Sequence, residues 1–274
     1  MLSKYLKGLS DSLHAEISVS FYDLQTGQAY GFADRKMMHA ASTMKVPVMI
    51  EVFRQAEAGR FSLHDSLLVK NQFRSIVDGS PFSLDPAEDG EQSLYQVIGQ
   101  KRPIRELVEQ MITWSSNLAT NLLIEWVGAK NVMATLREIG AKDMQVLRGV
   151  EDLKAYRQGL NNRTNAHDLM VVMRALAQKT VASPAACKQM IDILKHQHWR
   201  TKIPGGLPPG VAVANKTGSI TAIDHDCAIV FPPQRKPYVL VVLTRGIADH
   251  DQAAATIAAI SHKIYAMLQP QKSS

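Results

Sequence analysis

Alternating apolar residues cluster near the two ends of this chain, with a long run of three-and-four apolar spacing between them. That order leaves few architectures open. Near the start, Ile17, Val19 and Phe21 alternate with Ser18, Ser20 and Tyr22, and Thr26-Gly27 turns the chain into Ala29 to Phe32. A period of two marks a half-buried strand, so this segment reads as a β-hairpin. Strand pattern returns at Val211 to Ala214, Cys227 to Phe231 and Tyr238 to Thr244, with Pro232-Pro233 and Lys236-Pro237 marking the turn between the last two. A helix stripe (Leu2, Tyr5, Leu6, Leu9, Leu13) precedes the hairpin, and a helix is predicted from Gln252 to Leu268. From Ser42 to about Lys195 the pattern is almost wholly helical, carried by Val48, Met49, Val52 and Phe53, then Ile104 to Trp114, Leu118 to Val127 and Leu169 to Ala177. Polar loops interrupt it at Asp78-Gly79-Ser80-Pro81 and at Asp85 to Gly90.

Strands at both ends around a helical middle imply an α/β plus all-α fold. One antiparallel sheet is built from both chain ends and flanked by the terminal helices, with an inserted helical domain. The expected limits are residues 1–47 and 196–274 for the α/β part and 48–195 for the all-α part, with the active site in the cleft between them. No repeat of 20 to 50 residues is visible.

At 274 residues, 46% hydrophobic and 20% charged, the chain has enough apolar material for one large core or two moderate ones. The net charge of +6 favours anionic partners, yet lysines and arginines are scattered and no run of five like charges occurs. Nucleic acid is therefore not an expected partner, whereas a small carboxylate fits. Cys187 and Cys227 stand far apart without a companion motif, so two buried free thiols are expected rather than a zinc knuckle or redox pair. The N-terminal stripe lacks the uninterrupted apolar core of a signal peptide, and no segment is long enough to span a bilayer.

The chemistry concentrates in Ser42-Thr43-Met44-Lys45. A serine and a lysine three residues apart on one helix share a face, and a lysine in a dry cleft loses enough basicity to accept the serine proton. Ser42 at a helix start, after Ala40-Ala41, also puts backbone N–H groups and the positive dipole end near developing negative charge. Alone, this spacing is common, and a helix cap followed by a surface lysine is the plain alternative. Two further motifs give it weight. Ser115-Ser116-Asn117 sits where one helical pattern ends and another begins, and Lys216-Thr217-Gly218 follows the strand starting at Val211. A cation at Lys216 would attract an anionic substrate and lower the pKa of Lys45 by like-charge repulsion, and Gly218 would let the strand edge approach a ligand. As separate features, Asn117 also fits as a cap for the Leu118 helix and Lys216 as an exposed strand lysine.

S-x-x-K with S-D-N and K-T-G is the signature of class A β-lactamases and penicillin-binding proteins, and all three elements occur here in that order. The flanks Ala41 to Pro47, Trp114 to Leu123 and Ala214 to Ile220 match as well, and the chain resembles the class A β-lactamase family along nearly its whole length. The resemblance implies Ser42 as nucleophile, Lys45 as its proton acceptor and Ser115 as proton shuttle to the leaving nitrogen. It implies Asn117, Lys216, Thr217, Gly218 and Ser219 as substrate-binding residues, with the backbone N–H groups of Ser42 and Ser219 as oxyanion hole. No metal or organic cofactor is implied; the expected partner is a small β-lactam or peptidoglycan-stem-like molecule, bound by a monomer. Family members are typically periplasmic or secreted, so an export signal would have to lie outside this chain.

Glu151, 36 residues after Ser115, stands where the family carries the carboxylate that activates the deacylating water. The text around it departs from the pattern: Ala155 replaces an asparagine that helps hold the water, Arg148 is displaced by one, and Asn161-Asn162 stand where an acid is expected. The stretch between Lys45 and Ser115 is also longer than in the family, and residues around Ser80 to Gln100 are expected to wall the cleft or meet a different substrate. Two alternatives follow: a penicillin-binding peptidase-like acylase with slow β-lactam turnover, and a non-catalytic sensor domain that keeps the cleft. Asp224-His225-Asp226, Asp249-His250-Asp251 and His196-Gln197-His198 resemble parts of metal sites but lack partners at ligand spacing; His225 and Asp226 are expected to face the cleft or its rim. Arg245, Tyr95 and Trp114 are left between substrate contact and ordinary surface or core.

Overall fold

A computed structural model describes residues 2–269; Met1 and residues 270–274, which the expected domain limits include, lie outside the described residues. The chain ends do build one sheet. Its strands are β1 (Glu16–Asp23), β2 (Ala29–Phe32), β3 (Ala212–Ile220), β4 (Ile223–Phe231) and β5 (Tyr238–Arg245), antiparallel in the order β2-β1-β5-β4-β3. The last strand thus lies between the first hairpin and the other two C-terminal strands, with Ile17 opposite Thr244 and Asp226 opposite Val242.

β5 shows why the sheet needs cover on both faces. Leu240 and Val242 join Leu6, Val19, Ile257, Ile260 and Ile264 in one apolar cluster, while Val239, Val241 and Leu243 join the helical body on the other side. An uninterrupted apolar run is the pattern of a strand buried on both sides. The first cover comes from α1 (Leu2–Leu13) and α9 (His250–Met267), the latter capped by Asp249, whose side chain accepts from the Asp251 and Gln252 N–H groups.

On the opposite side lie α2 (Lys45–Glu57), α3 (Ile104–Thr113), α4 (Asn117–Val127), α5 (Ala129–Ile139), α6 (Leu153–Arg157), α7 (Ala166–Ala177) and α8 (Pro184–Lys195), of which α7 and α8 pack directly on the sheet. α2 is preceded by a 3₁₀ turn, Ala41–Met44, and Pro47 is its third residue, where a missing N–H costs no intrahelical bond. The helical middle is less uniform than its periodicity suggests. Two-stranded ribbons join Ser66–Leu68 to Lys101–Pro103, Phe73–Arg74 to Pro81–Phe82, and Met38–His39 to Arg163–Thr164. Runs of two or three paired residues are too short for a period of two to stand out. Cys187 and Cys227 are free and buried.

Candidate active site

Ser42 opens onto a cleft of about 680 Å³ whose lining includes Asn117, Glu151, Ser219 and Arg245. Three turns deliver the working groups, and each carries a non-glycine residue with positive φ: Ala41 (45°) before Ser42, Ser115 itself (64°), and Glu151 itself (62°). That region costs most residues energy and is tolerated where surrounding contacts over-determine the backbone. Here they do.

Ser115 lies in the break between α3 and α4. Ser116, not Asn117, caps α4, accepting from Ala119 N, which frees the Asn117 side chain and removes the capping reading for it. Lys45 Nζ donates to Ser115 O (2.6 Å), Ser115 Oγ (3.2 Å) and Asn117 Oδ1 (2.9 Å), so three acceptors meet its three ammonium protons. Lys216 Nζ approaches the same Ser115 Oγ from the other side at 3.0 Å and also donates to Thr217 O. Both lysines are fully buried, which excludes Lys216 as an exposed strand lysine.

Burial is what pulls Lys45 down, to about 7, against the opposing pull of the Asp89 and Glu151 carboxylates. The like-charge effect anticipated for Lys45 falls instead on Lys216, held well below the ordinary lysine range by burial first and by Lys45 second. Asn117 passes the contact on, its Nδ2 donating to Glu151 Oε1 at 2.9 Å. The other carboxylate oxygen accepts Asp85 N at 3.3 Å, and burial lifts the Glu151 carboxyl above its usual range.

Gly218 is required for a different contact from the one anticipated. A Cβ there would sit 3.0 Å from both Ala41 Cβ and Ser42 N, so the glycine lets edge strand β3 close onto the turn that carries Ser42. Thr217 is buried, while Ser219 is exposed beside the cleft.

The loop around Glu151 is tied without an arginine–carboxylate bridge. Arg148 donates to Leu160 O (2.9 Å), Gly149 O (3.0 Å) and Asn161 Oδ1 (3.0 Å), while Asn162 accepts from Leu147 N and Arg148 N and donates to Arg148 O. Asn121 of α4 closes the loop's middle, accepting Val150 N (2.6 Å) and donating to Val150 O (3.0 Å). Ala155 is buried, and its N–H serves the Asp152 cap of α6.

The stretch between Lys45 and Ser115 contributes no residue between 80 and 100 to the cleft lining. It supports these turns: Ser75 Oγ and Ile76 N donate to Asp152, Lys154 donates to Asp78 and Ser80, and the Asp89 carboxylate accepts Asn117 N and Leu118 N. Sequence reasoning passes over Asp89 and Asn121; the available signal was an S-x-N motif without its acid beside a longer, acidic loop.

His225 and Asp226 are buried rather than facing the cleft, because β4 is covered on both faces. Buried and neutral, His225 donates from Nε2 to the His39 carbonyl and accepts Thr244 N at Nδ1, and Asp226 accepts from Asn215 and Ile203 N. His250 pairs with Asp224, and Arg245, on the cleft lining, pairs with Glu16. Tyr95 donates to Asp89, and Trp114, part-exposed, stacks on His198. Among the described residues no group of three or more His, Cys, Asp or Glu side chains is placed to hold a metal ion, and no helix is long and apolar enough to cross a membrane.

The sheet from both chain ends, the helical body on one face and the cleft lined by Ser42, Asn117 and Glu151 define a mixed α/β-plus-α fold. The profile of the beta-lactamase enzyme family matches residues 1–268, and the chain belongs to that family. It is 24% identical to a beta-lactamase of Rhodobacter capsulatus over 91% of this chain and 81% of that one. A Bacillus licheniformis beta-lactamase is 30% identical over a shorter stretch, 52% of this chain and 47% of that one. Among solved structures, a variant of the last common ancestor of Gram-negative bacteria beta-lactamase class A superposes with a TM-score of 0.84 at 26% identity, covering 97% of each chain. PBP-A superposes with a TM-score of 0.82 at 24% identity, over 97% of this chain and 95% of that one, and shares the fold.

Proposed function

We propose that this chain is a serine β-lactamase of class A type, opening the β-lactam amide through an ester on Ser42. The observation that carries the reading is the single Ser115 hydroxyl held between two buried lysine ammoniums, with Lys45 joined through Asn117 to Glu151. Neutral Lys45 takes the Ser42 proton as Oγ attacks the carbonyl carbon, and the Ser42 and Ser219 N–H groups receive the developing oxyanion. The C–N bond then breaks, and Ser115 Oγ passes its proton to the leaving nitrogen, replenished from the lysine side. Lys216 and Thr217 hold the substrate carboxylate, and Asn117 its side-chain amide. Glu151 takes a proton from water, whose oxygen attacks the ester and releases Ser42. The division into residues 1–47 with 196–274 and residues 48–195 belongs to this reading, supported by the shared sheet. So does a monomer.

Turnover of nitrocefin, read together with mass spectrometry of Ser42, tests the proposal. A β-lactamase gives turnover with a transient adduct, and Ser42→Ala gives neither. A stable Ser42 adduct without turnover overturns the lactamase reading in favour of a peptidase-like acylase, an outcome for which buried Ala155 is the specific ground. No adduct with penicillin leaves a binding domain; labelling that survives Ser42→Ala overturns the nucleophile.

A further inference from the structure

The inserted stretch reaches the working groups through one side chain. Asp89, 7% exposed, spreads its two oxygens over the start of α4. Oδ1 accepts Asn117 N at 2.9 Å and Glu91 N at 3.2 Å; Oδ2 accepts Leu118 N at 2.9 Å, the Tyr95 hydroxyl at 2.9 Å and, longer, the Ser116 hydroxyl at 3.4 Å. The first N–H groups of a helix have no partner inside it, so an external acceptor settles where that turn sits. This turn carries the Ser115 hydroxyl between the two lysines and the Asn117 amide between Lys45 and Glu151. The motif S-D-N has an acid at its middle position. Here Ser116 occupies that position and spends its oxygen on Ala119 N. Next to Asp89, Gly90 passes so close to the turn that a Cβ would meet Trp114 O at 2.5 Å, so the loop is fitted to the turn it supports.

We propose that Asp89 is a positioning residue for the reaction, its carboxylate holding the Ser115–Asn117 turn against Lys45 and Lys216 from the insertion instead of from position 116 within the turn. The inference rests on the reading of Ser115 and Asn117 as working groups. It has an electrostatic side as well. The charged groups around Lys45 are Asp89, Glu151 and, across Ser115, Lys216, and Asp89 raises the Lys45 pKa against the effect of burial. Asp89→Asn therefore removes one of the two anchoring oxygens and also lets Lys45 lose its proton at lower pH.

The test compares rates of Ser42 acylation by penicillin across pH for the full chain, Asp89→Asn, and Asp89→Asn combined with Ser116→Asp, with thermal midpoints measured alongside. Asp89→Asn is expected to slow acylation about 100-fold, the scale of a displaced catalytic group, with its acid limb moved to lower pH. Ser116→Asp, returning a carboxylate to the same turn, is expected to recover about tenfold or more of that loss, as a charge-assisted bond to the backbone is restored. An acylation rate within about twofold of the unaltered protein and an unmoved limb overturn the proposal. So does a loss that Ser116→Asp leaves unrepaired in a protein of unchanged thermal midpoint. Where Asp89→Asn does not fold, Asp89→Glu serves instead: its retained charge leaves the acid limb in place while its longer reach slows acylation, and an undiminished rate overturns the idea. Absence of any Ser42 adduct in the unaltered protein is a separate result, against the function reading itself.

Discussion

Lys45 and Lys216 point at one hydroxyl from opposite sides, and their surroundings press on both to give up charge. For Lys45 the cause is burial, which brings it to about 7. With the neutral amine as the proposed base, acylation is expected to rise with pH through about 7 and to fall on acidification; a flat acylation profile across that range would argue against Lys45 as proton acceptor. Glu151 works in the opposite charge sense but with the same pH sign. Its ionised form is the proposed base, and burial raises its pKa above the usual carboxylate range, so deacylation should be lost on acidification sooner than an exposed glutamate would predict. Single-turnover kinetics separates the two limbs. The resemblance to the class A family pointed to Ser42, Lys45, Ser115, Asn117 and Lys216, because its three motifs are short and local. Asp89 stayed hidden because its partners lie 28 and 29 positions away in the chain.

Turns, more than helices, decide the geometry of this site. The turn before α6 is held by amides and backbone carbonyls around Arg148 and by Asn121 against Val150. Gly149 is the tight point, since a Cβ there would overlap the Asn121 side-chain oxygen. Gly149→Ala is expected to displace Asn121 and loosen Glu151, at a cost of about 1–3 kcal/mol typical of overpacking. Deacylation should slow more than acylation, because the proposal assigns Glu151 to the second step. Equal slowing of both, measured by adduct lifetime and acylation rate, would contradict the division of labour. The long, strongly periodic helices were readable because each shows an apolar stripe over several turns. The short ribbons were not, and neither was the role of the stretch from 75 to 100, whose backbone groups and Asp78 and Asp89 carboxylates brace the turns instead of lining the cleft.

Net charge and layering act over the full protein. The +6 charge, with Arg148, Arg163 and Arg245 lining the cleft beside Glu151 and Asp152, should draw anionic β-lactams. Raising ionic strength from about 0.02 M to about 0.5 M shortens the screening length several-fold and is expected to lower kcat/KM for a dianionic substrate more than for a monoanionic one. Identical salt dependence for the two would remove the steering argument. With Cys187 and Cys227 both free and buried, reductant should leave the thermal midpoint unchanged; a shift would reveal a disulfide this fold does not contain.

The amino-acid order by itself determined that strands at the two ends share a sheet around a helical middle, and which serine, lysines and asparagine lie in register. The first follows from period, a property of neighbouring residues, and the second from short motifs that resemble those of the class A family. Only the tertiary structure decided that burial lowers Lys45, that Gly218 exists to let β3 close on Ser42, and that His225 and Asp226 are core. It also decided that an inserted loop supplies the carboxylate under Asn117. Desolvation, close approach and hydrogen bonding between distant segments depend on what the fold packs together, and no local pattern carries that information.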